Sequence, residues 1–241
     1  MSRTATVSLD GSPESITAAD WAAREALLRG LPLRLLHAWQ WQPHACAPPA
    51  GVTLPPTGSD SQREWADRML REAETRLAQC HPGLRITVDR IAEQPVPPCW
   101  PAPGTPSCWC WALAPDRTHG FLIGSVAYSV VSRTERPVVL VRAGERTEDE
   151  HVPDSSGVGS MVTAYRDVVL GLDLSGPADS VIEFAFDAAA RRAADLRVVH
   201  GWSLQPHYYG YDGALDPELD AQVAARIRAE LTELLRPWQD K

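Results

Sequence analysis

Apolar and polar positions change period along this chain, from alternation to helical spacing and back. Thr6 to Leu9 is a short β-branched or apolar run that ends on Asp10, and an Ala-rich stretch of helical character, Ala18 to Leu28, follows it. A second apolar run covers Leu33 to Trp39. Trp65, Met69, Ala73 and Leu77 recur every four residues and predict a second helix, and Leu84 to Ile91 predicts a third strand. Phe121 to Ser132 reads as a later helix and Pro137 to Val141 as a last strand. The pattern then restarts. Val168 to Leu172, Val181 to Ala194 and Leu196 to Trp202 repeat the order strand, helix, strand. Leu219, Val223, Ile227, Leu231 and Leu235 form a second helical stripe behind an Asp216-Pro217 start.

The restart is a true internal repeat. The stretch beginning LDGSPES at Leu9 aligns without a gap on LDLSGPA at Leu172. Asp10 falls on Asp173, Ser12 on Ser175, Arg34 on Arg197, His37 on His200, Trp39 on Trp202 and Pro43 on Pro206. Strand, helix and strand within about thirty residues is a βαβ unit, which brings parallel pairing and a right-handed crossover. Two such copies predict an α/β fold with a doubly wound, open parallel sheet. Residues 1–142 are expected to form one nearly complete domain. Residues 143–162, polar and acidic with Gly and Ser, read as a linker, and residues 163–241 as a partial second copy that stops after its second helix.

Charge narrows the function classes. Lys and Arg number 23 against 31 Asp and Glu, for a formal charge of −8, so bulk binding to nucleic acid or anionic lipid is not expected. The longest apolar stretch, Gly120 to Val131, is broken by Ser125 and Ser129, which argues against a membrane span. The amino terminus, MSRTATVSLDG, lacks the apolar core of a secretion signal. Five cysteines, an odd count, predict reduced thiols and a cytoplasmic protein.

The pieces VSLDGSPES at Val7 to Ser15, LRLLHAW at Leu33 to Trp39, GFLIGSVA at Gly120 to Ala127 and RPVVLVR at Arg136 to Arg142 resemble tandem universal stress proteins of the actinobacterial, UspA-like type. VVLGLDLS at Val168 to Ser175 and LRVVHGW at Leu196 to Trp202 extend the resemblance into the second copy. The resemblance implies five parallel strands with helices on both faces, and a regulatory module of the stress response in which many members bind ATP. It implies nucleotide contacts at Asp10, Ala38, Gly124, Ser125 and Val126. The Asp10 carboxylate would accept from ribose or adenine, or serve only as a turn residue. The backbone at Ala38 would face adenine, and Gly124-Ser125 would hold phosphate at a helix start. In the family that pair closes a motif of G-x-x-G, nine residues, then G-[S/T]. Here the two earlier positions are Trp111 and Ala114, so ATP binding is expected to be weak or absent. No catalytic residue and no metal are expected, and ligand-dependent association is expected in place of turnover. The alternatives are a nucleotide-free interaction module and a slow ATPase. The last strand, short, apolar and without lysine, should seek an edge partner, so a homodimer is expected.

The damaged motif lies in an unusual segment, Pro97 to His119, with three cysteines, three tryptophans and six prolines. The resemblance asks for a helix and then a central strand here, and prolines at this density defeat the helix. Cys108-Trp109-Cys110-Trp111 is what CTG-rich codons for a leucine-rich strand yield when read one base out of register. The segment therefore reads as a frame slip, which the gene's nucleotide sequence across this window decides. Cys99, Cys108, Cys110 and His119 do not have the spacing of paired C-x-x-C zinc knuckles. His37 and His200, each on a strand, are read as packed structural residues, since no carboxylate or nucleophile stands at a telling spacing. Ser125 lacks a nucleophile elbow. Trp21, Trp39, Trp41, Trp65 and Trp238 are read as core or helix-face aromatics, and Tyr208, Tyr209 and Tyr211 as a loop cluster.

Overall fold

Ser12 and Pro13 start the first helix as their chemistry dictates. Ser12 is the N-cap, its hydroxyl accepting from the Ser15 N–H at 3.1 Å, and Pro13 fills the first turn, where no backbone donor is missed. Gly30, in the left-handed region at φ 63°, ends the helix and donates back to Ala26 and Leu27. The resulting α1 (Pro13–Arg29) lies between β1 (Ala5–Ser8) and β2 (Leu33–Ala38). Its buried face is Ala18, Ala19, Ala22, Ala23 and Ala26, small residues that let the helix sit close to the sheet.

The computed structural model describes residues 4–38, 59–91, 108–113, 125–133, 137–176, 179–202 and 217–239. After β2 come α2 (Ser59–Cys80), β3 (Ile86–Ile91), β4 (Cys108–Leu113), α3 (Ser125–Val131) and β5 (Val138–Arg142). These five strands form one parallel sheet in the order β3-β2-β1-β4-β5. Neighbouring side chains on a strand point to opposite faces, and β2 shows both layers. Leu36 packs under Val130 of α3 with Ile91, Val138 and Leu140, whereas His37 meets Trp65 of α2. The sheet is therefore covered by α2 on one face and α3 on the other.

The central strand that the resemblance asks for within Pro97 to His119 is β4, Cys108–Leu113, pairing Ala5 with Cys108 and Trp111 with Leu140. The physical reason is local: Trp is favoured in strands, and Pro106 and Pro115 bracket the run without entering it. The helix expected before it, the candidate ligands Cys99 and His119, and the whole run 114–124 lie outside the described residues. The buried stripe of α2 differs from the four-residue repeat. It is Ala66, Leu70, Ala73 and Leu77, because a helix turns in 3.6 residues and drifts away from a strict step of four. Trp65 and Met69 lie beside that stripe, and Trp65 is 41% exposed.

By contacts the chain divides into residues 1–150 with 159–161, and residues 151–158 with 162–241. The stretch read as a linker is shared between the two units. In the first unit a 3-10 turn, Thr147–Glu150, brings the Glu150 carboxylate to Arg24 of α1 at 2.7 Å. In the second unit, β6 (Val168–Gly171) pairs in parallel with β7 (Leu196–Val199), with α4 (Asp179–Arg192) and α5 (Pro217–Gln239). Its core is Leu170, Leu172, Ile182, Ala185 and Leu235, with Val168, Leu196, Val198 and Trp238 packed against it. His151 bridges to Tyr165 and stacks on its ring at 4.2 Å between centroids. No helix among the described residues is long and apolar enough to cross a membrane.

Candidate functional site

The strand order decides where a ligand fits. From β1 the chain crosses to β2 on one side, while β4 and β5 lie on the other, so connections diverge between β1 and β4. Open α/β sheets bind ligands outside the carboxyl ends of the strands at such a switch point. Asp10 stands there, two residues beyond β1.

Its carboxylate is held in place. Oδ1 accepts the Ser12 N–H at 2.9 Å and the Ser12 hydroxyl at 2.6 Å, which leaves acceptor capacity on Oδ2. Partial desolvation pushes this carboxyl up, but the hydrogen bonds from Ser12 and Ser15 outweigh it and hold it below its ordinary 3.8. Asp10 is thus an ionised acceptor at neutral pH, facing water. Gly11 follows at φ +84°, a conformation that glycine takes without a steric penalty.

Ala38 ends β2, paired with Ile91 of β3, on the strand next to Asp10. The strand ends are joined by the Leu9 N–H donating to Leu36 at 2.8 Å. Just before Ala38, His37 is buried with Nδ1 2.6 Å from the Leu9 carbonyl oxygen. A carbonyl only accepts, so Nδ1 carries the proton and the imidazole ties β2 to the last residue before Asp10. Asp10 and Ala38 are therefore brought to one edge. Ser125 and Val126 open α3 in the connection between β4 and β5, and Gly124 lies outside the described residues.

The second copy repeats the design. Asp173 Oδ1 accepts the Ser175 N–H at 2.9 Å and its hydroxyl at 2.8 Å, and these bonds lower its pKa. His200 Nδ1 lies 2.7 Å from the Leu172 carbonyl oxygen. The turn and the imidazole tie recur together at equivalent positions of the two copies. The pattern of the Universal stress protein family matches residues 1–96 and 164–241, the same two copies. The chain belongs to the universal stress protein family. Tandem relatives among the universal stress proteins include one from Mycobacterium tuberculosis strain H37Rv, 28% identical over 246 residues, covering 98% of this chain and 74% of the relative. One from Mycolicibacterium smegmatis is 28% identical over 244 residues with the same coverage of both. The solved structure of a universal stress protein from Archaeoglobus fulgidus DSM 4304 superposes with a TM-score of 0.58 at 17% identity, covering 94% of this chain and 72% of that one. That last likeness bears on the fold.

In this universal stress protein the edge also holds Trp65, expected as a core or helix-face aromatic. Trp65 meets the His37 ring edge-on, with centroids 5.7 Å apart and planes at 71°. A signal for it existed. In a βαβ unit the helix after a strand begins at the carboxyl edge, so a Trp in the first turns of α2 falls near the ligand crevice. Tyr208, Tyr209, Tyr211, Trp39 and Trp41 lie outside the described residues.

Proposed function

We propose that this chain binds an adenine nucleotide at the carboxyl edge of its five-stranded sheet and acts by ligand-dependent association. The observation that carries the reading is the oriented, ionised Asp10 at the switch point, beside the end of β2 at Ala38. A fixed carboxylate accepts from ribose hydroxyls without reorganising, and the open backbone of a strand end suits a purine edge. Gly124, Ser125 and Val126 take the phosphate end in this reading, by resemblance to the family. Trp111 and Ala114 stand where its glycines would be, so the nucleoside end supplies most of the affinity and ATP gains little over AMP. The reading includes a cytoplasmic setting, supported by the odd count of five cysteines in the chain.

Calorimetry with AMP tests it. Asp10→Ala is expected to weaken AMP by about ten-fold or more, the loss that follows when a hydrogen bond to a charged group is removed. Equal binding by the variant removes Asp10 from the site, and no binding by the parent chain favours a nucleotide-free interaction module. Steady phosphate release from ATP above blank makes the chain a slow ATPase instead.

The proposed association is a homodimer through β5. This strand ends the sheet, carries no lysine, and leaves Val138, Val139 and Leu140 only partly covered. Light scattering at tens of micromolar is expected to give about twice the chain mass of 26.4 kDa, and a strictly monomeric mass contradicts it.

A further inference from the structure

We propose that Trp65 is the stacking surface for the base of the bound nucleotide, an inference that rests on reading this edge as the nucleotide site. The indole lies between the two residues next to the assigned contacts. On one side is His37, directly before Ala38. On the other is Gly11, directly after Asp10: a β-carbon there would come within 2.7 Å of Trp65 Cζ2 and 2.9 Å of Cη2. The indole therefore rests on the bare backbone of the β1–α1 turn, an approach only glycine permits at that position.

Packing does not explain the residue. The core of α2 is complete with Ala66, Leu70, Ala73 and Leu77, whereas Trp65 remains 41% exposed. It is also not a loose surface side chain. His37, whose own ring is fixed through Nδ1 to Leu9, meets it edge-on, and Gly11 meets its benzo edge. A large aromatic surface thus stands, with contacts on two sides and open in part to water, beside an ionised acceptor suited to ribose. That combination fits a flat heterocycle joined to a sugar. Stacking on an indole requires a π-face and little else, so it would retain a nucleotide even where the phosphate end is poor.

The test uses the full chain with AMP. Trp65→Ala is expected to weaken AMP about ten-fold or more in calorimetry, within the range for losing one base–aromatic stack. Trp65→Phe keeps a ring and is expected to retain most of the affinity. Its thermal midpoint shows whether the fold is intact. AMP is expected to quench tryptophan emission in the parent chain, and Trp65→Phe is expected to bind AMP without that quench. Unchanged affinity in Trp65→Ala, or the same quench in Trp65→Phe, overturns the proposal. Tighter binding by Trp65→Ala also overturns it, since the indole would then occupy the place of the base. If the parent chain binds no AMP while remaining folded, the nucleotide reading itself falls, and the stacking role with it.

Discussion

Residues 165–241, expressed alone, are expected to unfold without a cooperative transition. The reason lies in matching positions of the two copies. Thr6 and Leu36 of the first sheet are fully buried, and Val130 of α3 packs on Leu36. Their counterparts in the second copy, Val169 and Val199, are 61% and 49% exposed. One face of the β6–β7 pair is thus apolar and open, and along α5 only Leu235 of the predicted stripe is buried. A small domain has roughly 0.05–0.15 kcal/mol of stability per residue, and a two-stranded sheet covered on one face is below what independent folding needs. Calorimetry should show a broad, shallow change, with binding of a hydrophobic dye at 25 °C. A sharp transition with calorimetric and van't Hoff enthalpies in agreement contradicts this expectation.

Replacing residues 97–119 with a leucine-rich strand followed by a glycine-containing loop is expected to raise ATP affinity by about a hundred-fold or more. Two or three charge-assisted bonds from backbone donors, at about 1.5–3 kcal/mol each, would become available to the polyphosphate. Asp116 would leave together with Arg117, which partly offsets its charge, so the gain rests on the backbone donors. AMP should gain much less, because in the proposed reading its affinity comes from Asp10 and the base. Parallel calorimetric titrations with ATP and AMP measure both, and an unchanged ratio between them refutes the loop as the cause.

Much of the fold was legible because the two periodicities are strong. The Ser12-Pro13 start of α1, the third strand ending at Ile91 and the last strand before Arg142 all follow from local rules that the tertiary structure reinforces. The repeat was legible for the same reason: Asp10 and Asp173 form the same turn with the serine two residues on. β4 was legible only through the resemblance, because six prolines around it obscure the run Cys108–Leu113 until β1 and β5 supply partners on both sides. Trp65 marks a different limit. Spacing along a helix identifies a face, but a residue at the rim of that face can be core or ligand surface. Only its contacts with Gly11 and His37 decide where it lies.

The place of β1 in the sheet has a consequence for the order of folding. Ala5, Thr6 and Val7 pair on one side with Leu33, Arg34 and Leu35, a local βαβ closure. On the other side they pair with Cys108, Trp109 and Cys110, made far later in synthesis. At about 5–20 residues per second, the far edge of β1 waits on the order of several to twenty seconds for its partner on the ribosome. Contacts so distant in sequence also slow refolding from denaturant, because loop closure precedes any gain from pairing. A strand made well before β4 is therefore finished only when β4 arrives. During that interval, its unpaired edge is where a chaperone would bind or a misfolded chain would add a strand.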